Sequence, residues 1–314
     1  MVDIYQLRMR QAMPLKDKVR FTERRIIEWV EEFGENGVYI SFSGGKDSTV
    51  LLDIARRLYP NLKAMFVDTG LEYPEIRQFV KTFDNVDILR PQKRFDQVIQ
   101  EYGYPIISKE VSEFVSNSRK CIESGFTKYL THYNKLTGKY LDKNGKKSPY
   151  CCDKWKFLLQ APFKISNKCC NIMKKKPAHD YQKQTGRNPI IATMAEESRL
   201  RTAQYLRQGC NGFNNKIPTS TPMAFWTEQD VLQYLYKNKI PYASVYGDIE
   251  IDKNGEYYTT GCQRTGCMFC GYGCHLEKEP NRFQKLKLTH PKQYDYIINK
   301  LGFKEVLEFL KINY

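Results

Sequence analysis

Residues 38–59 constrain this chain more than any other stretch. Val38-Tyr39-Ile40-Ser41-Phe42 is apolar and β-branched, as a buried strand is, and Ser43-Gly44-Gly45-Lys46-Asp47-Ser48 follows at once. Beyond it Val50, Leu51, Ile54 and Leu58 recur at helical spacing, and Pro60 closes the segment. A strand, a tight Gly-Gly turn and a helix N-terminus make an anion site. Glycine lets the backbone approach a phosphate, the first N–H groups of the helix have no partner within it, and the helix dipole favours negative charge there. Ser43 and Ser48 add hydroxyl donors, and Lys46 adds a point charge. The spacing is not the G-x-x-x-x-G-K-[ST] of the common phosphate loop.

The neighbouring pattern alternates between strand and helix. An amphipathic helix is expected over 16–33, with Ile26, Ile27, Val30 and Phe33 on its apolar side and Gly34 at its end. Strands are expected over 63–67, 86–89 and 189–194, and helices over 74–83, 95–102 and 196–208, the last with Leu200, Ala203 and Leu206 inward. Thr227 reads as an N-cap with an acidic first turn, opening a helix through Tyr236. Helical segments are expected again around 294–298 and 304–310. Such alternation predicts an α/β fold with a doubly wound parallel sheet, carrying a basic Cys-bearing insertion and a helical C-terminal part. The expected divisions are 1–120 and 189–260 for the two parts of the nucleotide-binding domain, 121–188 for the insertion, and 261–314 for a Cys-rich loop and terminal helices. Ligands of such sheets sit beyond the carboxyl ends of the strands. Asp68-Thr69-Gly70 ends the second strand as the Gly-Gly loop ends the first, so both are expected at one crevice, where Asp68, Thr69 and Gly70 would read an adenine edge or a ribose.

The formal charge of +15 is concentrated. Residues 119–187 hold 17 Lys and Arg against 4 Asp and Glu, an asymmetry that favours a polyanionic partner such as nucleic acid. No apolar run reaches membrane-spanning length and the start lacks a charged-then-apolar signal pattern, so a cytoplasmic protein without a membrane partner is expected. There the ten cysteines stay reduced, which favours metal or redox roles over disulfides. Gly261 to Cys270 holds a C-x4-C-x2-C spacing through Cys262, Cys267 and Cys270, with Cys274 four residues on; upstream lies the pair Cys169-Cys170. C-x2-C puts two thiolates on one tight loop, able to grip an ion or a cluster, and spacing alone leaves zinc and iron–sulfur open. Arg264 and nearby lysines are expected to lower the thiol pKa values. Cys121 and Cys210 are expected to be buried thiols. His275 stands alone near the loop and reads as structural rather than as an acid or base.

The string S-G-G-K-D-S resembles the pyrophosphate loop of the adenine nucleotide alpha hydrolase superfamily. With Val67 to Pro74 it resembles the phosphoadenosine phosphosulfate (PAPS) reductase branch, whose G-x-R-x-x-E-S-x-x-R pattern is matched here by Glu197, Ser198 and Arg201. Ala192 stands for its glycine and Met194 for its arginine; Pro222, Trp226, Asp230 and Val231 match the block that follows. The resemblance implies an ATP-using enzyme. Ser43, Gly44, Gly45 and Ser48 would hold pyrophosphate, Lys46 would neutralise developing charge, Asp47 would orient the loop or a Mg²⁺ ion, and Glu197, Ser198 and Arg201 would join the nucleotide site.

A Cys-Cys pair followed much later by C-x2-C looks like the [4Fe–4S] pattern of adenylylsulfate reductases. The C-x4-C-x2-C form looks more like the sulfur-incorporation proteins of DNA phosphorothioation, whose upstream ligand lies eight residues before a proline. Pro177 then implies Cys169, and the implied ligands are Cys169, Cys262, Cys267 and Cys270, with Cys170 as substitute and Cys151, Cys152 and Cys274 in reserve. A sulfur donor such as a cysteine desulfurase is an implied partner. The Glu-Cys-Gly-Leu-His tail of the reductases is not matched in 308–314. Three readings therefore stand: ATP cleavage to AMP and pyrophosphate for sulfur transfer to nucleic acid, thiol-dependent reduction of APS or PAPS, and a non-catalytic subunit that binds nucleotide and nucleic acid.

Overall fold

The computed structural model describes residues 2–314, which divide into two compact units. The first comprises 2–68, 72–90 and 177–265; the second comprises 69–71, 91–176 and 266–314.

The first unit is built on a six-stranded sheet in the order Val86–Leu89, Ala64–Val67, Val38–Ser41, Asn188–Ile190, Thr219–Ser220, Asn211–Gly212. All neighbours are parallel except the last pair, which is antiparallel. The sheet is thus mostly parallel, as the alternating pattern predicts, with one antiparallel pair at its edge. Parallel strands are covered on both faces and so read as continuous apolar runs; Val38, Tyr39 and Ile40 are all buried. Leu15–Phe33 is the amphipathic helix, with Ile26, Trp29 and Val30 buried and Gly34 ending it at φ +74°. Lys46–Leu58 follows the Gly-Gly loop and buries Val50, Leu51, Leu52 and Ile54.

Two expectations need correction. The strand expected over 189–194 covers only Asn188–Ile190, because the chain turns at once, Thr193 N–H donating to the Ile191 carbonyl at 3.0 Å. The helix expected over 196–208 is Arg199–Gln208, preceded by a 3-10 turn; of the three residues expected inward, Leu206 packs against the core but Leu200 and Ala203 do not. Leu200 is 84% exposed and Ala203 is exposed; Tyr205 packs inward instead and takes a 2.6 Å hydrogen bond from Arg10. A tyrosine buries its ring while its hydroxyl finds a partner, and that fixed the face of a helix poor in aliphatic residues.

The second unit pairs Ile106–Ile107 in parallel with Gly271–Tyr272. Lys109–Glu123, capped by Ser108, and Leu130–Thr137 pack over a core that includes Phe114, Val115, Leu136, Leu158 and Val306. Arg119 fastens the irregular chain behind them by donating to the carbonyls of Leu158, Ala161 and Phe163 at 2.7 to 3.0 Å. The C-terminal helices are Arg282–Thr289, Pro291–Asp295 and Phe303–Phe309. Among the described residues no helix is long and apolar enough to cross a membrane.

Candidate functional site

The Gly-Gly loop leaves the carboxyl end of the sheet's Val38–Ser41 strand, and its conformation depends on glycine. Gly44 has φ +71°, and a Cβ there would lie 2.7 Å from Val80 and 2.8 Å from Ile76. The Ser43 and Ser48 hydroxyls are 3.0 Å apart. Ser48 Oγ accepts from Ser43 N–H and donates to the Gly45 carbonyl, which holds the loop in its bent form. Gly45 is the N-cap residue of Lys46–Leu58 and no side chain caps it, so the first amides of that helix are left for an anion.

Lys46 is almost wholly buried. Its ammonium lies 3.1 Å from Glu228 Oε1 and 5.2 Å from the centre of the Tyr246 ring. Glu228 opens its own helix, Glu228–Asn238, and its amide donates to Glu196 Oε1 at 2.5 Å. The Tyr246 hydroxyl bonds Thr265 at 2.5 Å. Burial raises the Asp47 carboxyl above the usual carboxylate range, opposed by the charges of Lys46, Arg264 and Arg201. Burial likewise raises Glu196, opposed by the hydrogen bond from the Glu228 amide.

The E-S-x-x-R segment lies in the same unit. Glu197 is ion-paired with Arg201, accepts the Met194 amide at 3.1 Å and stands 3.9 Å from an Arg264 nitrogen. Ser198 caps the Arg199–Gln208 helix by accepting from Arg201 N–H. Met194 is buried in the core, so this position offers no charge to a ligand. Arg264 stands by the Glu197 carboxylate, and its charge is felt by Asp47 and Arg201. Glu228 and Tyr246 are residues that motif reading missed here, as is Arg264's place beside Glu197. Glu228 had one signal, its place in the first turn after the Thr227 cap.

Asp68 ends the second strand, its amide bonded to the Leu89 carbonyl and its carboxylate 2.8 Å from Arg77. Thr69 and Gly70 belong to the second unit, where Thr69 Oγ1 accepts from Leu71 N–H and Gly70 has φ +74°.

Of the implied ligands, Cys169, Cys267 and Cys270 belong to the second unit and Cys262 to the first. The Cys262 amide bonds the Val245 carbonyl at 3.0 Å, and its carbonyl accepts from Thr259 at 3.1 Å. In the second unit, burial pushes the Cys169 thiol up, and the charges of Cys170, Cys267 and Cys270 push it further. Burial also raises Cys270, which Arg282 and Lys174 only partly offset. At Cys169 and Cys270 the thiols are raised where lowering was expected, because burial outweighs the nearby cations. The donor chemistry suits zinc or iron–sulfur, but among the described residues no group of three or more His, Cys, Asp or Glu is arranged to hold a metal ion. Cys121 and Cys210 are buried. His275 lies edge-on to Trp155, ring centres 4.9 Å apart, in a packing role.

Fold and loop define the first unit as a mostly parallel α/β domain whose Gly-Gly loop and uncapped helix N-terminus lie at the carboxyl end of a strand. The family model of the phosphoadenosine phosphosulfate reductase domain matches residues 37–121 and 122–271, and the chain belongs to that family. An adenosine 5'-phosphosulfate reductase of Staphylococcus epidermidis is 24% identical over 242 residues, covering 76% of this chain and 73% of its own length. Uncharacterized protein MJ0973 of Methanocaldococcus jannaschii is 21% identical over 299 residues, 92% of this chain; the chain spans 56% of that relative's length. Among solved structures, a PAPS reductase from Candida auris in a phosphate complex is 14% identical, covers 82% of this chain and 98% of its own, and gives a TM-score of 0.39.

Proposed function

We propose that the first unit binds Mg·ATP and that an acceptor oxygen attacks the α-phosphorus. The bond to the bridging oxygen breaks and pyrophosphate leaves. The observation that carries this reading is the Ser43–Ser48 loop, with the buried Lys46 ammonium beside an uncapped helix N-terminus. The loop amides and the Ser43 and Ser48 hydroxyls would hold the β- and γ-phosphates, Lys46 would neutralise charge on the leaving group, and Asp47 would orient the loop or the metal. Asp68 would take the ribose or base. Glu197, Ser198 and Arg201 would shape the nucleotide site around the α-phosphate.

The activated acceptor would be a nucleic acid about to receive sulfur, with a sulfur donor such as a cysteine desulfurase as partner. Within the second unit, Cys169, Cys267 and Cys270 are the residues that would hold a [4Fe–4S] cluster, which would supply sulfur binding or relay. A buried Met194 where the family pattern has arginine speaks against a 3′-phosphorylated nucleotide.

The second reading is reduction of adenosine 5'-phosphosulfate, favoured by the names of the relatives. Protein purified without oxygen and mixed with Mg·ATP, with and without nucleic acid, is expected to yield AMP and pyrophosphate, and Lys46→Ala to yield none. Intact ATP together with sulfite release from the sulfonucleotide would replace the first reading by the second.

A further inference from the structure

The second unit carries a surface that nucleotide chemistry does not use. Residues 119–176, which lie wholly in it, hold 15 Lys and Arg against 3 Asp and Glu once Lys183, Arg187 and Asp180 are set aside. On this surface large rings stay in water: Phe126 is 46% exposed, Tyr129 44% and Tyr150 66%.

Lysine ammonium groups lie over the rings. Lys120 is 5.9 Å from the Tyr129 ring, Lys139 is 6.0 Å from Tyr133, and Lys135 is 5.1 Å from Tyr140 and 5.6 Å from Tyr150. Ring and lysine contacts link the rings, in part through the buried Phe114. Tyr129 meets His132 at 6.0 Å, His132 meets Phe114 at 5.5 Å, and Lys135, 5.4 Å from Phe114, leads on to Tyr150. Phe126 packs edge-on against Tyr133 at 5.0 Å. Asp153, one of the three acids, is already ion-paired with Lys147 at 2.8 Å.

A merely solvated charged face has no reason to gather exposed rings under its lysines. Interleaved rings and cations suit a ligand that has flat faces and a regular negative charge together. We propose that this face binds single-stranded nucleic acid, with unpaired bases stacking on Phe126, Tyr129 and Tyr150 and backbone phosphates meeting Lys120, Lys135 and Lys139. A base that takes a ring face displaces the lysine toward the adjoining phosphate. Duplex keeps its base faces stacked inside, so it loses the ring contribution. The proposal deepens the reading of a nucleic-acid acceptor, and rests on that reading for its biological sense.

The test is fluorescence anisotropy with the full chain and a labelled oligo-dT strand over a salt series, with heparin as a polyanion that has no bases. Wild type should bind the strand with an affinity that falls steeply with salt. The Tyr129→Ala/Tyr150→Ala double variant should bind it about 10-fold or more weakly, keep heparin binding, and keep its melting midpoint. Tyr258→Ala, an exposed ring of the first unit, should change nothing.

Unchanged strand binding in the double variant overturns the proposal. So does parallel loss of heparin binding, or a wild type that binds no strand. If the variants lose the strand while ATP is never cleaved in any mixture, the surface stands and the ATP reading falls. If ATP is cleaved while the variants bind as wild type, the reverse holds.

Discussion

Lys46 and Glu228 are paired at 3.1 Å, the lysine buried and the glutamate 41% exposed, so the loop's cation already has a counter-ion before any phosphate arrives. An incoming phosphate must compete with that carboxylate and also meets its repulsion. Glu228→Gln removes both effects while keeping the side chain's shape. Nucleotide affinity measured by calorimetry at low salt is expected to rise about 5-fold, equivalent to about 1 kcal/mol. The loss of an acidic group from the first turn of Glu228–Asn238 should cost about 0.3–1 kcal/mol of stability. Weaker binding instead would mean that Glu228 is itself part of the phosphate or magnesium site.

Gly44 tests the loop from the backbone side. Its φ of +71° disfavours any side chain, and a Cβ would press on Val80 and Ile76, both buried. Gly44→Ala is expected to lose about 1–3 kcal/mol in urea unfolding, from strain and overpacking together, and to lose pyrophosphate binding as well. A variant with wild-type stability and binding would show that the loop's bend is not needed.

Asp230, a residue of the family's Pro-Trp-Asp-Val block, works inside the first unit as a structural anchor. Its carboxylate is 2.5 Å from Lys18, which is 2% exposed, and it accepts from both the amide and the hydroxyl of Thr227. Asp230→Ala strands a buried ammonium and removes a helix cap, so a loss of about 3–5 kcal/mol is expected. Lys18→Met combined with Asp230→Ala should recover much of that loss, because no unpaired charge is then left inside. A double variant as unstable as the single would mean that the cap, and not the buried charge, sets the cost.

The parts legible in the sequence were those written locally. The Val38 strand, the Gly-Gly loop and the Lys46 helix carry period, glycine and anion chemistry within about twenty residues, and Thr227 caps its helix as its sequence position suggested, with Asp230 completing a reciprocal cap. What was not legible is set by distant pairing. Glu228 meets Lys46 across 182 residues of sequence, and Lys18 meets Asp230 across 212. Periodicity cannot report such pairs. Leu200 misled because a leucine at helical spacing counts as inward, whereas Tyr205 won the buried face.

Cys274 discriminates between the two enzyme readings. It is buried, its thiol donates to the Gly271 carbonyl at 3.0 Å, and burial raises it to about 11. A thiol of this kind is a poor nucleophile at neutral pH. Cys274→Ser is therefore expected to leave either nucleotide activity within about 2-fold of wild type, and native protein should be alkylated there only slowly, as followed by mass mapping. Loss of sulfite release in this variant, with folding intact, would make Cys274 the attacking thiol and favour the reductase reading.

Asp47 links the loop to pH. Its carboxyl titrates above its unfolded value, chiefly through burial. In the window between the two values the folded chain therefore binds more protons than the unfolded one, so this group favours folding as pH falls through the folded value and works against it once ionised. Asp47→Asn should accordingly raise the urea midpoint at neutral pH, flatten the pH dependence of stability in the weakly acidic range, and abolish ATP cleavage. The ionised carboxylate is kept at a cost to the fold, which is the pattern of a residue retained for chemistry. If Asp47→Asn lowers the neutral-pH midpoint, the carboxylate is instead held by Lys46, Arg201 and Arg264 strongly enough to outweigh its burial, and its role is structural.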